Sequence, residues 1–155
     1  MKIRRASRAD LPSILAIEQQ CPTIAHWPEA EYTQAIENVA ARRTVLVAEH
    51  EGQVIGFVVA RVIEHEWELE NIAVIPERQR KGIGQALLRV LIDVARIHTA
   101  DAIFLEVRES NSHARILYER CGFQQTGERK DYYSSPHENA VLYRYLCNPE
   151  LTEKR

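Results

Sequence analysis

The stretch Gln79-Arg80-Lys81-Gly82-Ile83-Gly84 is where this sequence is best equipped to hold a ligand. Gly82 and Gly84 carry no Cβ, so the backbone there can approach a bulky group closely. A strand-like run, Leu69 to Ile75, precedes the stretch, and a helix-like run, Gln85 to Arg96, follows it. A helix N-terminus presents free N–H groups and the positive end of its dipole. Strand, glycine turn and helix start together make an anion site, most often for phosphate, and Arg80 and Lys81 add two cations. The chemistry implied is the holding of a pyrophosphate-bearing cofactor. The bland alternative is a glycine-containing turn with a basic surface.

A second chemical candidate lies downstream. Glu106 interrupts an apolar strand-like run, and alternation puts Phe104, Glu106 and Arg108 on one face and Ile103, Leu105 and Val107 on the other. On residue type alone two readings stand. Glu106 is a carboxylate paired with an arginine or set at a solvated edge, or it is a general base in a partly dry cleft, where a carboxyl can be shifted toward neutrality. Tyr118 is a core aromatic packed with Leu117 and Phe123, or a phenol that serves as an acid. Asn111 caps the helix that carries it.

The six-residue stretch is similar to the Gln/Arg-x-x-Gly-x-Gly/Ala signature of the GCN-related N-acetyltransferases. The resemblance continues in Asn71-Ile72-Ala73-Val74, Leu105-Glu106-Val107-Arg108, Ser110-Asn111, Leu117-Tyr118-Glu119 and Gly122-Phe123. Within that superfamily the stretch from Asn71 to Phe123, with Tyr132-Tyr133, most resembles the RimI-type ribosomal-protein alanine N-acetyltransferases; the N-terminal third matches only in outline. The resemblance implies acetyl-coenzyme A as co-substrate. Its pyrophosphate would lie on the loop Arg80, Lys81, Gly82, Ile83, Gly84 and Gln85, its arm beside Ile72, Ala73, Val74 and Asn111. Glu106 would be the base. Tyr118, twelve positions later as in those enzymes, would assist departure of the thiolate. Trp27, Glu68, Tyr132 and Tyr133 would meet the acceptor, with Glu68 a second candidate base. His26 departs from the apolar residue or proline commoner at its place. The implied acceptor is a peptide or protein N-terminus, such as the N-terminal alanine of a small-subunit ribosomal protein. Two rivals are a small amine, such as a polyamine or aminoglycoside, and a non-enzymatic acyl-coenzyme A-binding protein.

These residues need elements to position them. Residues 2–6 read as a strand. Ser7-Arg8-Ala9-Asp10 reads as a capping box opening a helix to Gln20, with Leu11, Ile14, Leu15 and Glu18 at helical spacing. After a loop from Cys21 to Pro28, a second helix spans Glu29 to Ala41, with Tyr32, Ala35, Ile36 and Val39 on one face. Thr44 to Ala48 and Val54 to Val62 form a hairpin around Glu51-Gly52, and a third strand runs from Glu66 to Val74. Glu64, Glu66, Glu68 and Glu70 alternate there, either as a solvated face or as an acidic wall that attracts a cationic amine. The long helix turns Leu87, Leu88, Leu91, Ile92 and Ala95 to the sheet. Ala102 to Val107 is a strand, Asn111 to Cys121 a helix capped by Gly122, and Phe123 to Tyr132 and Ala140 to Tyr145 are strands joined by a loop from Ser134 to Asn139. The pattern is a mixed α/β fold in α+β layers, with a parallel crossover over 66–107. The resemblance implies a central, mostly antiparallel sheet with a parallel, splayed strand pair and flanking helices.

Composition bounds the rest. The 155 residues read as one domain over 1–147 and a polar tail over 148–155. Hydrophobic residues make up 45% and charged ones 27%, as in a water-soluble globular chain. A net charge of −2 argues against direct nucleic-acid binding. Three scattered cysteines suggest neither a disulfide framework nor a zinc site, so no metal is expected and a reducing cytoplasm is. The start lacks a signal-peptide pattern, and the apolar run Val54 to Ile63 is too short to span a membrane. A monomer or weak homodimer is expected.

Overall fold

Alternating apolar side chains across 43–74 build the middle of the sheet. In the computed structural model of the chain, which describes residues 1–152, this stretch forms three consecutive antiparallel strands: β2 (Arg43–His50), β3 (Gln53–Ile63) and β4 (Glu66–Val74). Glu51 and Gly52, both at positive φ, make the two-residue turn whose twist suits a hairpin. β1 (Lys2–Arg5), β5 (Ala102–Arg108), β6 (Gln124–Ser134) and β7 (His137–Leu146) complete a seven-stranded sheet in the order β1-β2-β3-β4-β5-β7-β6. All neighbours are antiparallel except β4 and β5.

Helices cover both faces. α1 (Leu11–Gln20) and α2 (Glu29–Glu37) close a core with Val45, Val47, Phe57, Val59 and Ala73. α3 (Ile83–Ile97) and α4 (Ser112–Arg120) close the other with Leu46, Val58, Leu69, Ile103 and Leu105. Leu87, Leu88, Leu91, Ile92 and Ala95 of α3 are buried as their spacing predicts. At about 1.5–3 kcal/mol for each buried Leu or Ile, the four large ones contribute roughly 6–12 kcal/mol, as much as a domain's net stability.

Several boundaries differ from expectation, each for a local reason. Asp10 accepts from the Ser7 amide at 2.8 Å, but the first turn, Arg8–Asp10, is a 3-10 helix and α1 begins after it. The second helix stops at Glu37. Asn38 is extended, and its side chain accepts from the Ala40 amide, offering the backbone an alternative to helix; a short 3-10 turn follows over Val39–Ala41. Val39 therefore leaves the buried face and is 93% exposed. Glu64 lies in the β3–β4 turn at positive φ, so only three of the four glutamates share the strand. α3 begins two residues earlier than expected, because left-handed Gly82 precedes it directly. The expected loop over 134–139 shrinks to Ser135 and Pro136, and a bulge between Arg129 and Tyr133 absorbs the extra residues. Of the tail, Pro149–Thr152 forms a 3-10 turn, and the last three residues lie outside the described ones.

Candidate active site

The sheet opens between its two parallel strands. β4 and β5 pair only through Glu66, Trp67 and Glu68 with Ala102, Ile103 and Phe104. Past Glu68 they part, so Ile72, Ala73 and Val74 keep β3 as their only strand neighbour. The Ile75 amide donates to Ile55 on β3. Backbone groups alternate sides along a strand, so those of Val74 and Ile72 turn toward the gap. A bulge between Val59 and Ala60 inserts an extra residue in β4, which puts Glu70 and Asn71 on one face and reverses the alternation beyond them. Trp67 and Leu69 thus pack toward α3, whereas Ala73 packs toward α1 and α2.

The glycine loop closes one end of this gap. Gln79, first residue of the signature, donates from Nε2 to the Val74 carbonyl at 2.9 Å and so ties the loop to the end of β4. Gly82 sits at φ +84, and a Cβ there would meet nothing within 4 Å; the conformation, not crowding, calls for glycine. Gly84 differs. A Cβ there would lie 3.1 Å from Leu117 Cδ2, so this glycine lets α3 and α4 pack together. Arg80, itself at positive φ, contacts His113 of α4 at 2.9 Å, and Lys81 is exposed. The amides of Ile83, Gly84 and Gln85 begin α3, where a helix leaves its donors unpaired. Asn111 caps α4 by accepting from the Ala114 amide at 3.3 Å.

Glu106 and Tyr118 flank the gap from opposite faces. The Glu106 side chain is 25% exposed and ion-paired with Arg129 at 3.2 Å. Tyr132 hydrogen-bonds to Glu106, and this first, with the carboxylate's charge second, raises the Tyr132 phenol. Tyr118, 5% exposed, stacks with Phe123 and Tyr143. Burial, with Tyr133 nearby, holds its phenol well above the ordinary range. Among the described residues no hydrogen-bond partner meets its hydroxyl. Tyr133 lies between the two, raised by burial first and by Glu106 second, under the Arg108 guanidinium 4.2 Å from its ring. A cleft of about 260 Å³ beside Glu106 is floored by Phe104 and Leu142 and walled by Glu66, Thr126, Arg129 and Arg144.

The expected acceptor residues divide. Glu68, Glu106, Tyr132 and Tyr133 come together, since the Tyr132 phenol senses both glutamates. Trp27 comes from the α1–α2 connection, its ring against Tyr32 at 5.1 Å and under Arg43 at 5.1 Å, and that arginine pairs with Glu70 of β4. The three strand glutamates are not a bare acidic wall: Glu66 pairs with Arg144, Glu68 with Arg61 at 3.1 Å and Glu70 with Arg43 at 2.9 Å. Sequence reasoning missed Arg129, which carries no signal in a polar strand. It noted Glu18 at helical spacing without asking why a carboxylate stands on a buried face. Among the described residues no group of three or more His, Cys, Asp or Glu is placed to hold a metal.

Comparison with known proteins gives this geometry a family. Residues 11–123 match the Acetyltransferase (GNAT) family. The chain is 36% identical over 143 residues to the ribosomal protein bS18-alanine N-acetyltransferase of Haemophilus influenzae, covering 90% of this chain and 94% of that one. The same-named protein of Escherichia coli strain K12 is 38% identical over 136 residues, covering 86% and 88%. The crystal structure of the Escherichia coli ribosomal-protein-S18-alanine N-acetyltransferase superposes with a TM-score of 0.84 at 32% identity, over 94% of this chain and 93% of that one. The chain belongs to the GNAT acetyltransferase family. It is an acetyl-coenzyme A-dependent N-acetyltransferase with that family's fold.

Proposed function

We propose that this enzyme acetylates a protein N-terminal α-amino group, the N-terminal alanine of the small-subunit ribosomal protein bS18 being the acceptor. The observation that carries this is similarity to enzymes named for that acceptor along nearly the whole chain. The reaction belongs to a cytoplasmic enzyme that works as a single domain over 1–147, as a monomer or weak homodimer.

The gap fits acetyl-coenzyme A. It offers the backbone groups of Ile72 and the amide of Val74, a left-handed Gly82 beside a helix N-terminus, and a Tyr118 hydroxyl without a partner among the described residues. Arg80, Lys81, Gly82, Ile83, Gly84 and Gln85 hold the pyrophosphate, chiefly through amides, and Asn111 contacts the arm. When bound, the co-substrate supplies an acetyl group activated as a thioester. The Val74 amide polarises the carbonyl. Glu106 takes the proton of the attacking amine, through a water where the reach is long. An α-amino group titrates at about 7.7–8.0, so a fair share arrives neutral and the base has less to do than it would for a lysine. Tyr118, held protonated by burial, keeps a proton at Oη for the departing sulfur. Trp27, Glu68, Tyr132 and Tyr133 border the acceptor.

Thiol release from acetyl-coenzyme A with a panel of N-terminal peptides, N-terminally blocked lysine peptides and polyamines tests the reading. Release with alanine-initiated peptides above all others is expected; preference for a polyamine would overturn it.

A further inference from the structure

Glu18 is a carboxylate on the buried face of α1, 6% exposed, in a core otherwise made of Leu11, Ile14, Ile17, Tyr32 and Phe57. A buried charge is costly unless its lone pairs are met. Here donors converge on it. Oε2 accepts from the Trp27 amide at 3.1 Å and from the Tyr32 hydroxyl in a short hydrogen bond. His26 Nδ1 stands 3.4 Å from Oε1. Tyr32 accepts in turn from Asn71 Nδ2 at 3.1 Å, and the same amide group donates to the Ala25 carbonyl at 3.0 Å. Cys21 Sγ donates to the Val74 carbonyl at 3.4 Å.

These contacts share one result. They fasten three points of the α1–α2 connection, residues 21–28, to a single short stretch of β4. Cys21 is held at Val74, Ala25 at Asn71, and Trp27 at Glu18 and through Tyr32 to Asn71. Asn71 reaches the connection only because the β4 bulge turns it to this face, and it immediately precedes Ile72 at the gap. The wall that carries Trp27 and the strand that borders the gap therefore share one anchor.

We propose that Glu18 is a positioning residue for the acceptor: through Trp27, Tyr32 and Asn71 it fixes the 21–28 connection at the distance from β4 that an incoming N-terminus requires. This rests on the acceptor reading given above. The carboxylate itself is too deeply buried to meet the acceptor. Its charge matters because two oxygens must satisfy only donors. A glutamine at this place would turn one NH2 group toward donors and loosen one side of the anchor.

The test is steady-state thiol release by the full chain with an alanine-initiated peptide, comparing wild type with Glu18→Gln and Tyr32→Phe. Losing one hydrogen bond to a charged group predicts a peptide KM raised about tenfold. The acetyl-coenzyme A KM should move less than about twofold, and kcat at saturating peptide should be largely retained. In a Trp67→Phe background, acrylamide should quench Trp27 more strongly in both variants. Tyr32→Phe removes a single oxygen, so it decides the matter if Glu18→Gln does not fold. Unchanged peptide KM in a folded variant overturns the role, as does a parallel loss of kcat and acetyl-coenzyme A affinity, which would mark a merely structural residue. A wild-type chain inactive on every N-terminal peptide overturns the acceptor reading and this role together; an active wild type with insensitive variants overturns this role alone.

Discussion

Glu106 and Glu68 are rival carboxylates near one mouth, and their partners differ. Glu68 is held by Arg61 across the β3–β4 pair, a link between neighbouring strands, whereas Glu106 lies beside the gap with Arg129 and Tyr132. We expect Glu106→Gln to lower turnover by about 10²–10⁴-fold with coenzyme A affinity near normal, and Glu68→Gln to do much less. Steady-state rates with calorimetric titration of coenzyme A check this, and the reverse ranking would move the base to β4. Tyr118→Phe keeps the ring against Phe123 and Tyr143 and removes a hydroxyl that no group among the described residues meets. The melting temperature should hardly shift, while kcat at saturating acetyl-coenzyme A should fall roughly 10²-fold. A folded variant with undiminished turnover would leave Tyr118 a core aromatic only. At this scale the sequence was legible where a motif stood. It was silent on Arg129, whose side chain reaches from β6 past the intervening β7 to pair with Glu106 on β5, and it showed Glu18 without its reason.

The glycine loop joins three elements, and its two glycines act differently. Gly82→Ala must adopt a left-handed conformation costing about 1–2 kcal/mol in open space, so its main effect should be weaker coenzyme A binding. Gly84→Ala presses on Leu117 and should instead shift α4 and destabilise the fold. A Gly84→Ala/Leu117→Ala chain should be more stable than the summed single losses allow. Urea titration of the four chains measures that coupling, and strict additivity would mean that α3 and α4 do not meet through this pair. Beside the ligand approach expected of both glycines, Gly84 also spaces α3 from α4, a role the sequence did not show because helix–helix distance is a tertiary quantity with no local signature. The β4 bulge escaped for a similar reason. Strict alternation predicts Asn71 on the face opposite Glu70, yet one extra residue opposite Val59 and Ala60 turns both the same way.

Over the whole molecule, periodicity sufficed for most strands and helices and for the parallel crossover over 66–107, whereas the mostly antiparallel sheet with its splayed pair was read from the family resemblance. Helix ends were less legible, as at Asn38, where a side chain outbids the next helical turn. Ion pairs between elements were not legible at all. Arg4 of β1 binds Asp10 at the head of α1 through two nitrogens, at 2.7 and 2.9 Å, and this holds the Asp10 carboxyl below its ordinary value. A depressed folded value contributes stability that is present above about pH 4 and is lost as the pH falls through it. Asp10→Asn should cost about 1–3 kcal/mol at neutral pH, and the gap to wild type should narrow below pH 4. Urea titrations at pH 7 and pH 3 read this; a gap that stays constant would mean the pair is electrostatically idle.

Transfer to an N-terminal α-amine is the central claim, and where the acetyl group lands tests it most directly. The substrate is a peptide with the N-terminal sequence of ribosomal protein bS18, extended to contain a lysine, alongside a copy with a blocked N-terminus. Each is incubated with the enzyme and acetyl-coenzyme A and sequenced by tandem mass spectrometry. One acetyl group on the alanine nitrogen, with the blocked copy unmodified, is the predicted result. Acetyl-lysine in either peptide, or no modification of the free N-terminus while a polyamine is acetylated under the same conditions, would contradict the account.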